Sequence, residues 1–581
     1  MKKKILPVIA ALTLIIVVIL FMLLGNVIEK YTPTDERQDL AAHYNVTSDE
    51  EVAIIYNNEL IESKAKLLNG VVYLSLDTVK DYINDRFYWD ANENLLRYAT
   101  ATDLVSVPAE STNYTITKDS HSSDHIIVKA DATTAYIAID FVKTYSDFAY
   151  EIFEEPNRVV ITTAWGDYTT TTAKKDTELR ILGGIKSPIL DDIAKGEELT
   201  ILEQLENWTE VITSDGIIGY VKSKNLGDTS TKTLTSDYVA EEFTHIKKDF
   251  EINMAWHQVF NRSANGNISS VLQSTKGLNV ISPTWFYLNN EDGGIGSLAS
   301  TDYVNYCHQH NVEVWALVSN FGAVDQGLEN PDLTTILTHT SSRDNLVNNL
   351  ISSAIQYNLD GINVDFESVD PAVGDSYIQF IRELSLKCAN NGIVLSVDNY
   401  VPTAYTAFYD RAEQALFADY VAVMAYDEHY AGSEPGSVAS IGFVTEGIEN
   451  TLKEVPADQI ILGMPFYSRV WSLTPTDGEA TTDGAADSYT NYDIGCYSAS
   501  MGEQKRLANV NGVEPVWSSE SGQYYVEYEN GGSIYKIWIE DAASIEEKLK
   551  VMDSFGLAGG AFWKLGLEQS SVWDTIIKYI N

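Results

Sequence analysis

Hydrophobic residues in the second half of the chain occur in short runs that alternate with stretches of helical periodicity. The runs begin near Ile252, Val280, Val312, Gly361, Val394, Tyr420, Ile460 and Gly559. Apolar strands that alternate with helices are typical of a parallel sheet built from βα units. Eight such strands, most of them 25 to 50 residues apart, fit a closed (β/α)8 TIM barrel. We therefore predict an α/β barrel over residues 250–581.

The gap between the runs at Ile460 and Gly559 is too long for a single helical connection. Residues 471–536, which lie within this gap, are rich in Tyr and Gly. We predict that they form a small α+β insertion between the seventh and eighth strands of the barrel.

The region before the barrel contains an internal repeat with an offset of 63 residues, in which Val72–Tyr82 aligns with Ala135–Tyr145. Each copy has the pattern of a strand with alternating apolar positions followed by a short helix and a second strand. We predict a duplicated α+β domain over residues 29–168. The repeat resembles the copper amine oxidase N-terminal-like domains of bacterial surface proteins, although no cluster of metal ligands here indicates copper.

Short strands and turns fill residues 169–227, and a polar linker over residues 228–249 follows them. The step Gly219-Tyr220-Val221 after a turn, with Trp208 upstream, resembles a bacterial SH3-like β-barrel. Such modules commonly bind cell-wall peptide or glycan. A role as a plain spacer stays equally open, because a likeness of fold does not define a ligand.

The chain begins with three lysines, Lys2 to Lys4, followed by an apolar run from Ile5 to Gly25. A run of about 20 apolar residues is long enough to cross a bilayer, and no clear signal-peptidase site follows it. We predict an uncleaved transmembrane helix within residues 1–28. Because positive charge stays in the cytoplasm, the domains after about Glu29 are expected to be extracytoplasmic, in a single-pass protein of the cell membrane.

Composition narrows the possible partners. A formal net charge of −44 repels phosphate backbones, so we expect no nucleic acid partner. The three cysteines, Cys307, Cys388 and Cys496, are too widely spaced to suggest a disulfide framework or a zinc cluster. We predict neither a metal nor a cofactor. The oligomeric state is left open.

The strongest candidate for chemistry is the segment Asp360–Glu367, DGINVDFE. On a strand, Asn363, Asp365 and Glu367 share one face, which in a barrel is the interior. Buried carboxylates are costly unless they are paired or used. A structural ion pair is the alternative, but Arg469 is the one basic residue at comparable depth on the other predicted strands. We therefore predict that these acids are catalytic.

This segment resembles the signature of glycoside hydrolase family 18, the chitinase family. Three further motifs in the correct order match the family's sixth, seventh and eighth strands: Met424-Ala425-Tyr426-Asp427, Pro465-Phe466-Tyr467-Ser468-Arg469 and Gly559-Gly560-Ala561-Phe562-Trp563. The resemblance extends over the whole predicted barrel.

The resemblance implies a retaining mechanism in which the substrate's own 2-acetamido oxygen attacks the anomeric carbon and forms an oxazolinium ion. Glu367 would be the general acid and later the base, with its pKa raised by burial and by Asp365. Asp365 would stabilise the acetamido group, and the Tyr426 hydroxyl would bond its carbonyl oxygen.

The resemblance also implies a substrate-binding set around these catalytic residues. Trp563 would be the platform on which the reacting sugar stacks. Asp427 and Arg469 would support the acid and the sugar hydroxyls, and Met424, Trp285 and Tyr467 complete the predicted set. Taken singly, such aromatic residues are more often core residues, and Asp427 could be a helix N-cap.

One position departs from the family pattern. The family often has an aspartate where this chain has Asn363, and that aspartate shares a proton with the next acid. We expect Asn363 to donate a hydrogen bond to Asp365 and Asp365 to ionise more easily. This Asn, together with Val318-Ser319-Asn320-Phe321 in place of a Ser-x-Gly-Gly motif, is more similar to the spore-cortex peptidoglycan hydrolases of the family than to secreted chitinases.

The leading hypothesis is therefore an N-acetylglucosaminidase that hydrolyses peptidoglycan or a related amino-sugar polymer. A chitin or chito-oligosaccharide hydrolase is an alternative, and a catalytically silent, lectin-like glycan-binding protein is another. In a third alternative the barrel is incidental, and the SH3-like and repeat domains tether the cell wall. Whether the polymer is attacked internally or at its ends is left open.

Overall fold

The computed structural model describes residues 2–131, 134–476, 489 and 491–580, so part of the predicted insertion lies outside the described residues. By their internal contacts the residues form two compact units. The first comprises Met1–Leu96, Val107–Thr115 and Asp119–Ala240, and the second comprises Arg97–Ser106, Ile116–Lys118 and Glu241–Asn581. We describe each unit separately.

The chain begins with helices α1 (Lys2–Tyr31) and α2 (Leu40–His43). Taken over their described residues, none of the helices is both long and apolar enough to span a bilayer.

The region of the predicted repeat is rich in short strands and contains two short helices. Its elements are β1 (Glu51–Tyr56), β2 (Glu59–Leu68), β3 (Val71–Ser75), α3 (Leu76–Tyr82), β4 (Tyr88–Asp90), β5 (Leu95–Ala99), β6 (Leu104–Pro108), β7 (Asn113–Ile116), β8 (Asp119–Ser122), β9 (Val128–Asp131), β10 (Thr134–Ala138), α4 (Ile139–Thr144), β11 (Ala149–Phe153) and β12 (Arg158–Thr162). One sheet has the strand order β11-β12-β1-β2-β3-β10-β9, and β4 to β8 form a second sheet in chain order.

The two copies of the predicted repeat have the same local structure and meet in one sheet. The strand-helix pair β3-α3 corresponds to β10-α4, and β3 pairs antiparallel with β10, so that Tyr73 lies opposite Ala138 and Ser75 opposite Tyr136. Ser75 caps α3 by accepting a hydrogen bond from the Thr78 amide, as serine commonly does at a helix start. The alternating apolar pattern therefore forms the strands that it predicts.

The last part of the first unit is an all-β segment with its own hydrophobic core. Its strands are β13 (Gly166–Thr172), β14 (Thr177–Arg180), β15 (Ile189–Ile193), β16 (Glu198–Gln204), β17 (Trp208–Thr213), β18 (Ile218–Lys222) and β19 (Ser230–Leu234). They form an antiparallel sheet in the order β15-β14-β18-β17-β16-β13-β19. Leu179, Leu199, Val211 and Val221 are fully buried at its centre.

In the second unit, eight parallel strands of the described residues close into a barrel. They are β20 (Ile252–His257), β21 (Val280–Leu288), β23 (Glu313–Ser319), β24 (Gly361–Asp365), β25 (Val394–Tyr400), β26 (Tyr420–Met424), β27 (Ile460–Pro465) and β33 (Gly559–Trp563), and β22 (Ile295–Ser297) adds an antiparallel edge to β21. Pairing of β20 with both β21 and β33 closes the sheet. The predicted TIM barrel is confirmed, with strand starts within one residue of the predicted ones.

Helices follow the barrel strands and cover their outer faces. They are α5 (Ile268–Ser274), α6 (Thr301–Gln309), α7 (Leu333–Thr338), α8 (Thr340–Tyr357), α9 (Gly374–Asn391), α10 (Arg411–Phe417), α11 (Ile441–Thr451), α13 (Ala542–Phe555) and α14 (Trp573–Ile576). Nearly all residues of these strands are buried, as expected for a parallel sheet covered on both faces. Gly559 is required at one close approach, because an added Cβ would lie 2.1 Å from the Ile252 carbonyl oxygen.

The insertion between the seventh and eighth barrel strands is an α+β subdomain. It contains β28 (Tyr467–Pro475), β29 (Tyr492–Ser500), α12 (Met501–Val510), β30 (Val516–Ser518), β31 (Gln523–Asn530) and β32 (Ser533–Ile539). The strands form an antiparallel sheet in the order β29-β28-β32-β31-β30. The structure thus has the subdomain at the predicted place, with strands that begin four residues earlier than predicted.

Candidate active site

The acid strand β24 places Asn363 and Asp365 side by side with polar residues of its neighbours. Asn363 is fully buried and Asp365 is 4% exposed, whereas Glu367 lies just beyond the strand end and is half-buried. The register pairs Asn363 with Leu317 on β23 and with Ser396 on β25. The polar face of the strand therefore points into the barrel, and Glu367 lies at the carboxyl-terminal mouth.

Glu367 is held by two neighbouring strands. The Tyr400 hydroxyl donates to Glu367 Oε2 at 2.8 Å. The Asn320 side chain clamps the Glu367 backbone, because its Oδ1 accepts from the Glu367 amide and its Nδ2 donates to the Glu367 carbonyl, each at 2.9 Å. Burial raises the pKa of Glu367, the Tyr400 hydrogen bond opposes this, and the charge of Asp427 raises it further. A raised pKa suits a general acid.

Asp365 combines deep burial with an unsatisfied atom. Its Oδ1 is buried and has no hydrogen-bond partner within the described part of the chain. Burial raises the pKa of Asp365 far above its usual range, and the charges of Asp398 and Glu367 raise it further. The expectation that Asp365 ionises easily is therefore wrong. Its surroundings add negative charge and remove solvent, and both disfavour the ionised form.

Asn363 does not bond Asp365, contrary to the expectation from the sequence. Its Nδ2 donates to Asp398 Oδ1 at 2.7 Å and to Ser396 Oγ at 2.9 Å. Its Oδ1 accepts from Trp256 Nε1 at 2.9 Å and from Ser282 Oγ at 3.1 Å. An amide has two donor hydrogens and two acceptor lone pairs, so these four bonds use its full capacity.

A cavity of about 780 Å³ opens above these residues at the mouth of the barrel. Seven of the predicted site residues line it: Asp365, Glu367, Met424, Tyr426, Asp427, Tyr467 and Trp563. A smaller cavity of about 130 Å³ is also lined by Asp365, Glu367 and Trp563. Glu367 therefore borders both cavities.

Tyr426 and Trp563 line the large cavity with a phenol and an indole ring. Burial raises the pKa of Tyr426 well above its usual value, so its hydroxyl stays a hydrogen-bond donor. Trp563 is half-buried, lines both cavities, and lies with its ring centroid 5.8 Å from that of Trp256. A partly exposed indole at the floor of a cavity provides a stacking surface for a sugar.

Asp427 is anchored by the seventh-strand motif. Its Oδ1 accepts from the Tyr467 hydroxyl at 2.7 Å and from Arg469 Nη2 at 2.6 Å. Arg469 also donates to the His429 carbonyl oxygen at 3.1 Å. The backbone of Asp427 has a φ of 58°, a left-handed conformation that aspartate tolerates better than most residues. Arg469 therefore contacts the site through Asp427 and does not line the cavity itself.

Trp285 lies outside the site, which corrects its prediction as a substrate-binding residue. Its side chain is fully buried, its Nε1 donates to Asn265 Oδ1 at 2.9 Å, and its ring packs edge-on against Tyr303 of α6. The register of β21 against β23 shifts between Thr284 and Phe286. Trp285 falls at this shift, and its side chain packs between β21 and α6.

Sequence reasoning missed three residues that the structure brings into the site. Asp398 and Tyr400 on β25 line the large cavity, and Asn320 after β23 holds the Glu367 backbone. The signal was present in the sequence. Ser396, Asp398 and Tyr400 alternate with Val397 and Asn399 in the same way as the three polar residues of β24, and strand alternation puts them on the inner face.

No group of three or more His, Cys, Asp or Glu residues among those described could hold a metal ion. The absence of a metal requirement stays a prediction from the sequence.

A half-buried glutamate at the mouth of a TIM barrel, with a buried aspartate beside it, fits the carboxyl pair that a glycoside hydrolase uses. The profile of glycosyl hydrolases family 18 matches residues 212–568, more than half of the chain. The chain therefore belongs to glycosyl hydrolase family 18. A second profile, for a bacterial SH3 domain, matches residues 176–227, which confirms the predicted SH3-like segment.

Several known proteins are similar to this chain. The uncharacterized glycosylase YvbX of Bacillus subtilis (strain 168) is 25% identical over 308 residues, which cover 52% of this chain and 84% of that protein. A cortical fragment-lytic enzyme of Bacillus anthracis is 23% identical over 322 residues, covering 53% of this chain and 70% of that protein. The spore cortex-lytic enzyme SleL of Bacillus megaterium QM B1551 has a solved structure with a TM-score of 0.48 and 20% identity, covering 60% of this chain and 78% of that one.

Proposed function

We propose that the protein hydrolyses β-1,4 glycosidic bonds at N-acetylglucosamine units of peptidoglycan by a retaining, substrate-assisted mechanism. The bond that breaks joins the anomeric carbon to the glycosidic oxygen. The acetamido oxygen of the same sugar forms a bond to that carbon, and water later replaces it, so that the configuration is retained.

The observation that carries the proposal is the Oδ1 atom of Asp365. It is a buried carboxyl oxygen without a partner among the described residues, and its side chain lines the cavity. A buried acceptor without a donor is costly unless a ligand supplies one. The N–H of a 2-acetamido group is such a donor, and its hydrogen bond would orient the acetamido oxygen toward the anomeric carbon.

Glu367 supplies the proton that the leaving group needs. Its raised pKa widens the pH range over which it is protonated, and Tyr400 fixes one carboxyl oxygen in place. Glu367 donates its proton to the glycosidic oxygen as that bond breaks. In the second half of the reaction the Glu367 carboxylate removes a proton from the water that attacks the anomeric carbon, which restores the acid.

The remaining residues bind and orient the sugar. The Tyr426 hydroxyl donates to the acetamido carbonyl oxygen and holds that oxygen in position for its attack on the anomeric carbon. Trp563 supports the apolar face of the sugar ring, and Asp427, held by Tyr467 and Arg469, accepts from a sugar hydroxyl or from Glu367 in its protonated form. None of these steps needs a nucleophile from the protein.

Peptidoglycan is favoured as the polymer by two observations. One relative is named a cortical fragment-lytic enzyme, and the chain carries a bacterial SH3 domain before the barrel. Placement of the barrel outside the cell by an N-terminal membrane helix would give it access to this polymer, and that placement stays a prediction from the sequence.

The test uses the full-length chain in detergent with three substrates: purified peptidoglycan, chitin oligomers, and a chitin oligomer stripped of its N-acetyl groups. Mass spectrometry of reduced products is expected to show new N-acetylglucosamine reducing ends from peptidoglycan. The deacetylated oligomer should resist cleavage, because it lacks the attacking acetamido oxygen. Proton NMR taken early in the reaction should show the β-anomer as the first product.

Glu367→Gln is expected to reduce kcat by about 10²- to 10⁴-fold, the usual contribution of general acid-base catalysis. The matched control is Glu446→Gln on α11, which alters an exposed glutamate and should leave kcat unchanged. Cleavage of chitin oligomers with no release from peptidoglycan would favour the chitinase alternative. Binding to either polymer without any new reducing end would contradict the proposed reaction.

A further inference from the structure

The residue after Trp563 is a lysine at the mouth of the barrel. Lys564 follows the carboxyl-terminal end of β33, where the ladder to β20 continues with a hydrogen bond from the Leu565 amide to the Trp256 carbonyl oxygen at 3.0 Å. The side chain of Lys564 is half-buried. Its charge is therefore close to the proposed sugar platform and partly removed from water.

Two contacts hold the Lys564 ammonium beside the smaller cavity of the site. Nζ donates to Gln258 Oε1, and Gln258 lines that cavity together with Trp563. Nζ also lies 5.3 Å from the ring centroid of Phe260, which is a cation–π distance. Both partners are uncharged, so they orient the ammonium without compensating its charge.

Lys564 forms no salt bridge with any of the described residues. Burial lowers the pKa of Lys564, and the charge of Asp325, an exposed residue that also lines the smaller cavity, opposes this. The chain contains 83 Asp and Glu residues, yet none of those described pairs directly with this half-buried lysine. A charge that is partly desolvated without a partner is unfavourable, and a bound anion would remove that cost.

The other basic groups near the site do not offer a free charge. No lysine or arginine is among the described residues that line either cavity. Arg469 is paired with Asp427 at 2.6 Å. Burial lowers the pKa of His257 to about 4, and the charge of Lys564 lowers it further, so the imidazole is neutral at pH 7. Lys564 is therefore the group with which this part of the mouth can attract an anion.

Carboxylates distinguish the two candidate polymers. The sugars of chitin carry no acidic group. Peptidoglycan alternates N-acetylglucosamine with N-acetylmuramic acid, whose lactyl ether ends in a carboxyl group that is either free or joined to a peptide with carboxylates of its own. When N-acetylglucosamine is the reacting sugar, both of its neighbours in the polymer are muramic acid. Whichever neighbour lies beside the smaller cavity therefore brings such a group.

We propose that Lys564, held by Gln258, is a specificity-determining residue that binds a carboxylate of the muramic acid unit next to the sugar on Trp563. This inference rests on the proposed function, because it takes the sugar on Trp563 to be N-acetylglucosamine. The ammonium acts as a point charge and donor, and it makes or breaks no bond of the substrate. It favours peptidoglycan over chitin, since chitin offers it no anion.

Binding without turnover tests the inference. Calorimetry uses the full-length Glu367→Gln protein in detergent and three ligands of equal length: a peptide-free peptidoglycan strand, the same strand with its carboxyl groups reduced to alcohols, and a chitin oligomer. We expect Kd to be about 10-fold lower for the strand with carboxylates than for the reduced strand, as a charged hydrogen bond at a partly exposed site gives. Added salt should diminish this difference. Equal Kd values for the two strands would overturn the proposal.

Variants at Lys564, made in the same Glu367→Gln protein, assign the effect to this residue. Lys564→Met should abolish the difference between the two strands and leave the Kd for the chitin oligomer unchanged, whereas Lys564→Arg should restore part of the difference. The control is Lys578→Met, at an exposed lysine, which should not alter any of the three values. An equal loss with all three ligands in Lys564→Met would contradict the proposal, because the lysine would then only support Trp563. If that variant does not fold, the comparison of the two strands with Lys564 intact decides.

The source of the carboxylate is identified with strands that retain their peptides, in which an amide replaces the lactyl carboxylate. Dependence on Lys564 that is confined to peptide-free strands identifies the lactyl group, and dependence confined to peptide-bearing strands identifies the peptide. Binding that depends on Lys564 without cleavage by the wild type would contradict the proposed reaction and support this inference. Cleavage of peptidoglycan with equal Kd values for the carboxylate and reduced strands would do the reverse.

Discussion

Two regions of the barrel unit bury carboxyl groups equally deeply but shift the pKa values of these groups in opposite directions. In the helix layer, Glu383 of α9 accepts from Arg343 Nε at 3.1 Å and Nη2 at 3.3 Å, and from Gln379 at 3.0 Å. Burial alone would raise the pKa of Glu383, but the charges of Arg343 and Arg97 lower it below its usual value. At the mouth, the pKa values of Asp365 and Asp398 are raised.

The difference lies in the counter-charge and not in the burial. In the ion pair between α8 and α9 each charge compensates the other, so neither group is available to bind a ligand. At the mouth, Asp365 has a carboxyl oxygen without a partner in the described part of the chain, and no lysine or arginine there is a principal cause of its pKa shift. A carboxyl group at a cavity wall that lacks a hydrogen-bond partner or a counter-charge can bind a substrate. This property separates a functional cluster of acids from a structural one.

Arg343→Met should have the largest effect on stability. The side chain of Arg343 is fully buried, and its removal takes from the buried Glu383 its nearest cation, leaving Arg97 at 3.6 Å. We expect a loss of about 3–5 kcal/mol in the free energy of unfolding, the usual result of breaking a buried ion pair. Urea unfolding followed by tryptophan fluorescence measures it.

The control for that variant is Arg506→Met, which removes an exposed ion pair with Glu503 on α12 and should leave the unfolding midpoint unchanged. The kcat of Arg343→Met, corrected for the folded fraction, should equal that of the wild type. A lowered kcat with unchanged stability would mean that the helix-layer pair is functional, and the contrast between the two regions would fail.

Asp365→Asn should show the opposite behaviour. Removing the acceptor of the acetamido N–H is expected to reduce kcat about 10²- to 10³-fold, as loss of a preorganised electrostatic group does. Hydrolysis of the N-acetylated substrate that the wild type cuts best measures the loss.

The stability of Asp365→Asn should not fall and should depend less on pH than that of the wild type. A carboxyl whose pKa is raised on folding binds more protons in the folded than in the unfolded protein, so stability decreases as the pH rises above the usual carboxyl range. Removing such a group removes that decrease. Melting temperatures of both proteins at pH 5 and pH 8 test this, and a larger drop in the variant would show that Asp365 is stabilised as an ion.

Tyr400→Phe is expected to have the smallest effect. The hydroxyl stabilises the ionised form of Glu367, so its loss raises the pKa of Glu367. Because Glu367 must be protonated to act as the acid, the alkaline limb of kcat/KM should move to higher pH with little change in stability. Tyr405→Phe, at a highly exposed tyrosine, is the control. A limb that moves to lower pH would show that Tyr400 does not stabilise the carboxylate.

Much of this fold could be predicted because the strand periodicity and the helix periodicity are both clear in the sequence. Strand alternation identified the acid strand, and Glu367, Asp365, Tyr426 and Trp563 do line one cavity. The internal repeat and the insertion were visible as an offset and as a long gap. These features depend on local pattern, which a single sequence contains.

The errors concern contacts between strands. The partner of Asn363 is on β25, and the choice between Asp365 and Asp398 depends on ladder register, which the sequence does not state. Trp285 has the residue type of a sugar platform, but it falls at a register shift of β21 and packs against Tyr303. Residue type and alternation along one strand cannot reveal either fact.

The hydrogen bond between Asn363 and Asp398 has a consequence for judging integrity of active sites in related barrels. A carboxyl group on one strand can lie within hydrogen-bond distance of an inward side chain of the next strand, since parallel ladders bring their inward positions into rows. A sequence motif defined along a single strand would classify a chain with asparagine at the position of Asn363 as lacking one acid of the site. A comparison of the inward residues of β24 and β25 together would also include Asp398, which bonds Asn363.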